Sequence, residues 1–583
     1  SLWMENSTDH SINKIVEEGV FSCDGKMLME SRKFIPLMYQ LAARLGAKTQ
    51  ENGLFQDVVS KLVCQTAVEH PYHVIWIVLA LINANKDNKY LMSAGHSAKK
   101  SGRLSKKSNQ QPVNSYIDED RVKAARDVIE NVRKSRPAIV SSMEKLSEAY
   151  IELAYYDVSK YKSETGPLPL PDVPLKRITN LNNVALPTVD IQIDPSCLYK
   201  DVISISKFEP KYHLCGGINL PKILLCVGSD GIKRRQLIKG KDDLRQDAVM
   251  QQVFGMVNTL LQKNVETRKR NLKIRTYKVV PLSQRSGLVE WCEDTTPLGN
   301  YLIGGQGKKS LGAHQRYYPR DLSSPECRKK MQVVDRTNVK QRYKVYKEVT
   351  SRFHPVFRHF FLEKFPDPSL WFEKRLSYTR SVATASIVGY IVGLGDRHVQ
   401  NILIDCNTAE LIHIDLGVAF EQGKMLPTPE TVPFRLTRDL VDGMGISGVE
   451  GVFRRCCEKT MDVMRTSQEA LLTIVQVLVH DPLYVWTLSP LKALSVQRKR
   501  DVQDTSDVAN TDVLETGNES RDNLDESSVN KMAERVLVRL RQKLDGVEDG
   551  TLLSVKGQVN HLIREARDPK NLCRLFPGWQ PWI

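Results

Sequence analysis

The chain has 583 residues, 41% hydrophobic and 26% charged, an ordinary composition for a soluble protein and too long for one domain, so two to four compact units are expected. Its longest apolar runs, near Val74–Ile82 and Ala385–Leu394, fall far short of the ~20 residues that span a bilayer, so no membrane role is expected. The formal net charge of +16 invites nucleic-acid binding, but clusters such as Lys99-Lys100, Lys106-Lys107 and Arg268-Lys269-Arg270 carry no interleaved aromatic residues; a solvated surface, without direct DNA binding, is expected instead.

Eleven cysteines, scattered singly apart from Cys456-Cys457 and without a CxxC pair, predict a reducing compartment rather than a zinc site or a disulfide framework. The opening Ser-Leu-Trp-Met has neither an initiator methionine nor a targeting segment and reads as the start of a fragment.

Residues 1–92 read as helices, with apolar residues at three- and four-residue spacing in Phe34, Leu37, Met38, Leu41 and Leu45 and again in Phe55, Val58, Val59 and Leu62. A third segment, 73–82, is apolar all round and so predicted to be buried. Such helix pairs suggest the end of a helical solenoid. From Ser93 to Gln111 a Ser-, Gly-, Lys- and Asn-rich stretch predicts a disordered loop. Helical patterning over 118–161 stops at Gly166-Pro167-Leu168-Pro169-Leu170-Pro171, read as an extended linker and a domain boundary.

The period then changes. Residues 222–227 and 232–238 are strand-like and joined by Gly228-Ser229-Asp230-Gly231, which predicts a hairpin. An amphipathic helix is expected over 242–263, with Val249, Val253, Val257 and Leu260 on one side, and another strand over 273–281. Strands around one helix make a small α+β lobe. Beyond Trp291 the pattern is mainly helical, around 337–364, 371–394 and 448–480. The polar stretch 501–528 predicts a flexible insert, and helix resumes at 530–544. The aromatic end, with Trp579, Trp582 and Ile583, predicts a docked tail.

Chemistry concentrates between Gly393 and Gly417. Asp396, His398 and Asn401 lie within six residues, and two β-branched runs follow, the second ending in Asp415-Leu416-Gly417. A hairpin between those runs would return Asp415 beside Asn401, giving an oxygen-only site suited to Mg²⁺, or to Mn²⁺ in its place. Asp396 is then placed to accept the proton of an attacking hydroxyl, and His398 to stabilise charge on a transferring phosphoryl group. In the small lobe Lys239 ends a strand-like run and would reach the phosphates of ATP, with Asp242 or Asp247 as its acidic partner. Ser229 sits in the turn that would cover those phosphates. Glu290, Trp291 and Cys292 fit a hinge that binds the adenine edge and packs on its face.

Most protein kinases write the catalytic loop as His-Arg-Asp-x-x-x-x-Asn and the metal site as Asp-Phe-Gly. This chain has Asp396-Arg397-His398-x-x-Asn401 and Asp415-Leu416-Gly417. On that inversion, and on the runs 239–254 (KGKDDLRQDAVMQQVF), 393–404, 412–441, 448–458 and 568–583, the chain resembles the phosphatidylinositol 3-kinase-related protein kinases from about Lys222 to its end.

The resemblance implies an α+β, bilobal kinase-type fold, preceded by α-solenoid helices and followed by a short helical tail. It divides the chain into the end of a helical FAT domain (1–165), a linker (166–185), the N-lobe with hinge (186–292), the C-lobe (293–500), an insert plus helix (501–550) and FATC (551–583). It implies ATP and Mg²⁺ as cofactors, Lys239 on phosphate, Asp396 as base, His398 as transition-state stabiliser, and Asn401 and Asp415 as metal ligands. It further implies a homodimer acting on protein Ser/Thr-Gln sites in the nucleus, with some in the cytoplasm, activated by a complex that senses DNA double-strand breaks. A phosphoinositide lipid kinase is the alternative; between Asp415 and Arg435 the only lysine or arginine is Lys424, against Glu421 and Glu430, which suits a peptide better than a polyanionic headgroup. No cysteine lies between Glu458 and Leu572, so an inter-subunit disulfide in the insert is ruled out.

Overall fold

The computed structural model describes residues 2–583 apart from 88, 91–118, 162–163, 165, 217–218, 306–310 and 480–525. The expected 93–111 loop and most of the 501–528 insert lie outside the described residues. The architecture is α+β. Two compact units divide it, one formed by Ser1–Gln252 with Tyr277–Trp291, the other by Val253–Thr276, Cys292–Val479 and the C-terminal residues. No helix among the described residues is long and apolar enough to cross a membrane.

The first unit begins with helices. Gly53–Glu69 and Pro71–Ile82 are separated at His70-Pro71, where proline opens the second helix because its missing N–H costs nothing in a first turn. Val74, Ile75 and Val78 in that second helix are fully buried, as its apolar circumference requires. The pattern over 118–161 resolves into Glu119–Ser135 and Pro137–Tyr155, again divided at a proline.

A seven-stranded antiparallel sheet follows, comprising β1 (Leu168–Pro169), β2 (Thr179–Ala185), β3 (Ser204–Leu214), β4 (Lys222–Gly228), β5 (Lys233–Gly240), β6 (Val279–Pro281) and β7 (Ser286–Glu290). Their order is β1-β3-β4-β5-β7-β6, with β2 also on β3. The prolyl stretch at 166–171 therefore joins the sheet, with Leu168 opposite Tyr212. The helix Pro137–Tyr155 is tied to the sheet, since the buried Tyr150 hydroxyl donates to Gln236 Oε1 (2.8 Å) on β5 and Lys222 Nζ donates to the carbonyl of Ala154 (2.9 Å).

Two expectations are corrected here. The strand expected over 273–281 is confined to Val279–Pro281. Upstream of it the backbone is satisfied by helix side chains: Ile274 N–H donates to Asn258 Oδ1 and Asn258 Nδ2 to the Ile274 carbonyl, both at 2.8 Å, while Tyr277 N–H donates to Gln251 Oε1. The helix expected over 242–263 begins at Arg245, because Asp243 Oδ1 accepts the Arg245 N–H and turns the chain just before it. Asp242 consequently precedes the helix.

In the second unit, β8 (Thr295–Pro297), β9 (Ile402–Asp405) and β10 (Leu411–His413) form a small antiparallel sheet in the order β10-β9-β8. The helix Pro368–Ile391, capped by Asp367, leads into it and is almost wholly buried from Tyr378 onward. The helical pattern over 337–364 is split into Val339–Ser351 and Arg358–Lys364, with Pro355 in the gap. Helices Val452–Thr466, Gln468–Val479 and Glu526–Asp545 follow, then the hairpin of β11 (Val547–Glu548) and β12 (Thr551–Leu552) and the helix Val555–Arg567. The last residues dock: Trp579, Trp582 and Ile583 share a buried cluster with Cys327, Tyr346 and Phe353.

Candidate active site

The loop holding Asp396, His398 and Asn401 is shaped by its two flanks. Upstream, the helix Pro368–Ile391 stops at Gly393 (φ +62°), with Leu394 N–H donating back to the Gly389 carbonyl at 2.8 Å. That left-handed stop favours glycine, and a Cβ there would also lie 2.4 Å from the backbone nitrogen of Glu421. Downstream, β9 and β10 pair with Ile402 opposite His413, and Ile414 N–H donates to the Asn401 carbonyl at 3.1 Å. The hairpin thus sets Ile414 opposite Asn401 and brings Asp415 one residue beyond that pair.

Within the loop, Asn401 Nδ2 donates to the Asp396 carbonyl at 3.1 Å. This commits the amide's nitrogen to the protein and leaves Oδ1 as its cation-binding atom. Arg397 stitches the two halves together, donating to the carbonyls of Gly395 (2.7 Å), Ile414 (2.9 Å) and Asp415 (2.6 Å). Asp396, at φ +61°, and Asp415, at φ +55°, both hold left-handed backbone, a conformation that non-glycine residues keep only where surrounding bonds enforce it. Asp396, His398 and Asn401 are buried, whereas Asp415 is exposed.

His398 accepts the Gln400 N–H at Nδ1 (3.2 Å), so the ring proton resides on Nε2, 3.9 Å from Asp396 Oδ1. Burial, reinforced by the Arg397 and Arg435 charges and opposed by Asp415, holds the imidazole pKa down at about 3. It is a neutral donor at physiological pH.

In the first unit, Lys239 lies near the end of β5 opposite Gly287 on β7, so no side chain stands across from it. Its Nζ pairs with Asp242 at 3.3 Å. Asp247 is buried in the first turn of the helix Arg245–Lys263. Ser229 closes the β4–β5 hairpin against β3: its N–H donates to the Ser204 carbonyl (2.9 Å) and its hydroxyl oxygen accepts the Ser204 N–H (3.1 Å). At the end of β7, Glu290 exchanges bonds with Lys278, and the Arg235 guanidinium stands 5.2 Å from the Trp291 ring centroid. Cys292, a half-buried thiol, begins the second unit.

Residues 235–488 match the family described as phosphatidylinositol 3- and 4-kinase, and residues 552–583 match the FATC domain. Serine-protein kinase ATM of Sus scrofa is 55% identical over 586 residues, covering 100% of this chain and 19% of that protein. Serine/threonine-protein kinase ATM of Drosophila melanogaster is 40% identical over 600 residues, again covering 100% and 19%. Among solved structures, the FAT and kinase domain of CtTel1 superposes with a TM-score of 0.81 at 37% identity, covering 100% of this chain and 36% of that one. The chain belongs to the phosphatidylinositol 3-kinase-related protein kinases. It spans about a fifth of the length of the curated relatives it matches.

Among phosphatidylinositol 3-kinase-related kinases, whose chemistry uses ATP and a divalent metal, the oxygen donors of Asn401 and Asp415 are suited to such an ion, with no soft ligand to favour zinc. The sequence reading did not single out Arg397, although it lies inside the motif. Its work is done on backbone carbonyls, which leave no pattern in sequence. Glu430, counted in the sequence only as an acidic residue set against Lys424, is buried and accepts the Asp396 N–H at 3.0 Å on both of its oxygens.

Proposed function

We propose that this chain is the catalytic portion of a serine/threonine protein kinase that transfers the γ-phosphate of ATP to Ser or Thr followed by Gln, in signalling of DNA double-strand breaks. The observation carrying this reading is the hairpin that pairs Ile414 with Asn401 and so brings Asp415 back next to that pair, after a loop that also holds Asp396 and a neutral His398. The Asp396 carboxylate accepts the proton of the substrate hydroxyl as its oxygen attacks the γ-phosphorus and the bond to the β-phosphate oxygen breaks. His398 Nε2–H donates to an oxygen of the transferring group, where negative charge accumulates. Asn401 Oδ1 and the Asp415 carboxylate would hold Mg²⁺, which would neutralise phosphate charge. Lys239, held by Asp242, binds the α/β-phosphates under the Ser229 turn, and Glu290, Trp291 and Cys292 form the adenine-binding hinge.

The names of the relatives support protein Ser/Thr phosphorylation over lipid phosphorylation, and so does the single basic residue, Lys424, between Asp415 and Arg435. The domain boundaries follow the same reading: FAT helices to 165, a linker to 185, N-lobe to 292, C-lobe to 500, insert and helix to 550, and FATC to the end. Two of the similar structures are described as Tel1 dimers, one with C2 symmetry, which supports a homodimer. A nuclear location and a break-sensing activator complete the proposal. The test uses radiolabelled ATP with peptides differing only in Gln or Ala after the Ser, beside phosphoinositide vesicles. Preferential labelling of the Ser-Gln peptide is expected; labelling of lipid alone would overturn it.

A further inference from the structure

The C-terminal tail reaches the catalytic loop through one carboxylate. Trp579 Nε1–H donates to Glu430 Oε1 at 3.0 Å, and the same carboxylate accepts the backbone N–H of Asp396. Glu430 is boxed in: a Cβ on Gly395 would lie 2.8 Å from its Oε2, and one on Gly423 only 2.6 Å away. Its place is therefore fixed by close backbone approach on one side and by the tail's indole on the other. A second tie runs parallel. The buried Arg435 guanidinium donates to the carbonyl of Arg397 (3.1 Å) in the catalytic loop and to those of Trp579 (2.6 Å) and Gln580 in the tail.

The Asp396 backbone is the element in need of such support. At φ +61° it holds a conformation costing on the order of 1–3 kcal/mol for a residue with a Cβ. Two bonds pin it, the N–H to Glu430 and the carbonyl to Asn401 Nδ2. Release of the first leaves the peptide free to turn away, and with it the carboxylate. Burial pushes the Glu430 carboxyl up to about 7, while the Trp579 hydrogen bond and the Arg397 and Arg435 charges pull it back. The indole thus also favours the ionised form, the stronger acceptor for the Asp396 N–H.

Resting on the kinase reading above, we propose that Glu430 is a positioning residue that transmits docking of the C-terminal tail to Asp396, so that Trp579 sets the turnover rate through a hydrogen bond and not only through packing.

The experiment is a double-substitution cycle in the intact protein, combining Trp579→Phe, which keeps an aromatic ring but removes the N–H, with Glu430→Gln and Glu430→Ala. Steady-state kinetics, thermal melting and autophosphorylation-independent ATP hydrolysis are read on each. Trp579→Phe is expected to lower kcat about ten-fold with little change in KM for ATP or in melting temperature, the size expected for a hydrogen bond to a charged group. Glu430→Ala is expected to lower kcat about ten- to hundred-fold. Glu430→Gln, which retains one carbonyl acceptor, should lose less. In the Glu430→Ala background the Trp579→Phe change should have no further effect on kcat. Independent, multiplying losses, or a fall in melting temperature that tracks kcat in every variant, would overturn the relay and leave the tail as packing alone. That result would not touch the kinase assignment, whereas absence of phosphoryl transfer in the unsubstituted protein would remove the kinase assignment itself.

Discussion

His398 gives the sharpest test of the site's electrostatics. Its pKa falls from 6.5 to about 3, first because burial removes water from the imidazolium, then because Arg397 and Arg435 repel it, with the Asp415 charge acting in the opposite direction. At about 1.36 kcal/mol per tenfold change, the protonated form is disfavoured by about 5 kcal/mol relative to solution, so about one molecule in ten thousand carries it at pH 7. A bound divalent cation would push in the same direction. The pH–rate profile of kcat between pH 5.5 and 8.5 should therefore contain no break belonging to His398. His398→Gln, which keeps an N–H donor but cannot titrate, should give a profile of the same shape with about ten-fold lower kcat, and His398→Ala a loss of about a hundred- to a thousand-fold. Stability follows the sign of the shift: because the folded-state pKa is depressed, the neutral ring's contribution is complete above pH 6.5 and is lost as pH falls toward 3. His413, also held near 3 by burial and Arg397, acts in the same window. A break near pH 6.5 in the unsubstituted protein that vanishes in His398→Gln would refute a neutral donor.

Two further outcomes are expected. Asp242→Asn should raise the KM for ATP several-fold while leaving the melting temperature within about a degree, because the Lys239–Asp242 pair is partly exposed and contributes about 0–1 kcal/mol to folding; a larger effect from Asp247→Asn would transfer the lysine-holding role to that residue. Trp582→Ala empties a fully buried position in the tail cluster and should weaken docking by about 3–5 kcal/mol. Hydrogen exchange over residues 569–583 should accelerate accordingly, and unchanged protection there would contradict the packing.

The catalytic hairpin was legible because its side chains announce its backbone. Apart from His413, Ile402–Ile404 and Leu411–Ile414 consist of isoleucine and leucine, buried from Ile402 to Ile404 and at Leu411 and Ile412, and their pairing follows from the turn between them. The strand β3 was not legible, since its sequence SISKFEPKYHL mixes lysines, a glutamate and Pro210, and the register slips between Phe208 and Tyr212 to accommodate the proline. The over-long strand at 273–281 failed for the opposite reason. Its alternation is genuine, but Asn258 and Gln251 on the preceding helix take the backbone groups a neighbouring strand would have taken. Lys239 could be chosen from its place at a strand end, while its contact with Asp242 depends on the turn that Asp243 makes before the helix, which spacing does not show.

The supporting residues share a logic that spacing does not carry. Arg397 and Arg435 are buried cations whose described hydrogen bonds run to backbone carbonyls, of Gly395, Ile414 and Asp415 for the first and of Arg397, Trp579 and Gln580 for the second. A carbonyl satisfies a guanidinium's donors without cancelling its charge. The arginine charges beside His398 therefore reinforce the burial that keeps that ring neutral. Because each guanidinium also spans two or more segments, the charge beside His398 and the geometry that would align Asp396 come from the same hydrogen bonds. A site built this way cannot lose its tail contacts and keep its electrostatics, since removal of the Trp579 and Gln580 carbonyls would leave Arg435 buried with the larger part of its hydrogen bonding gone.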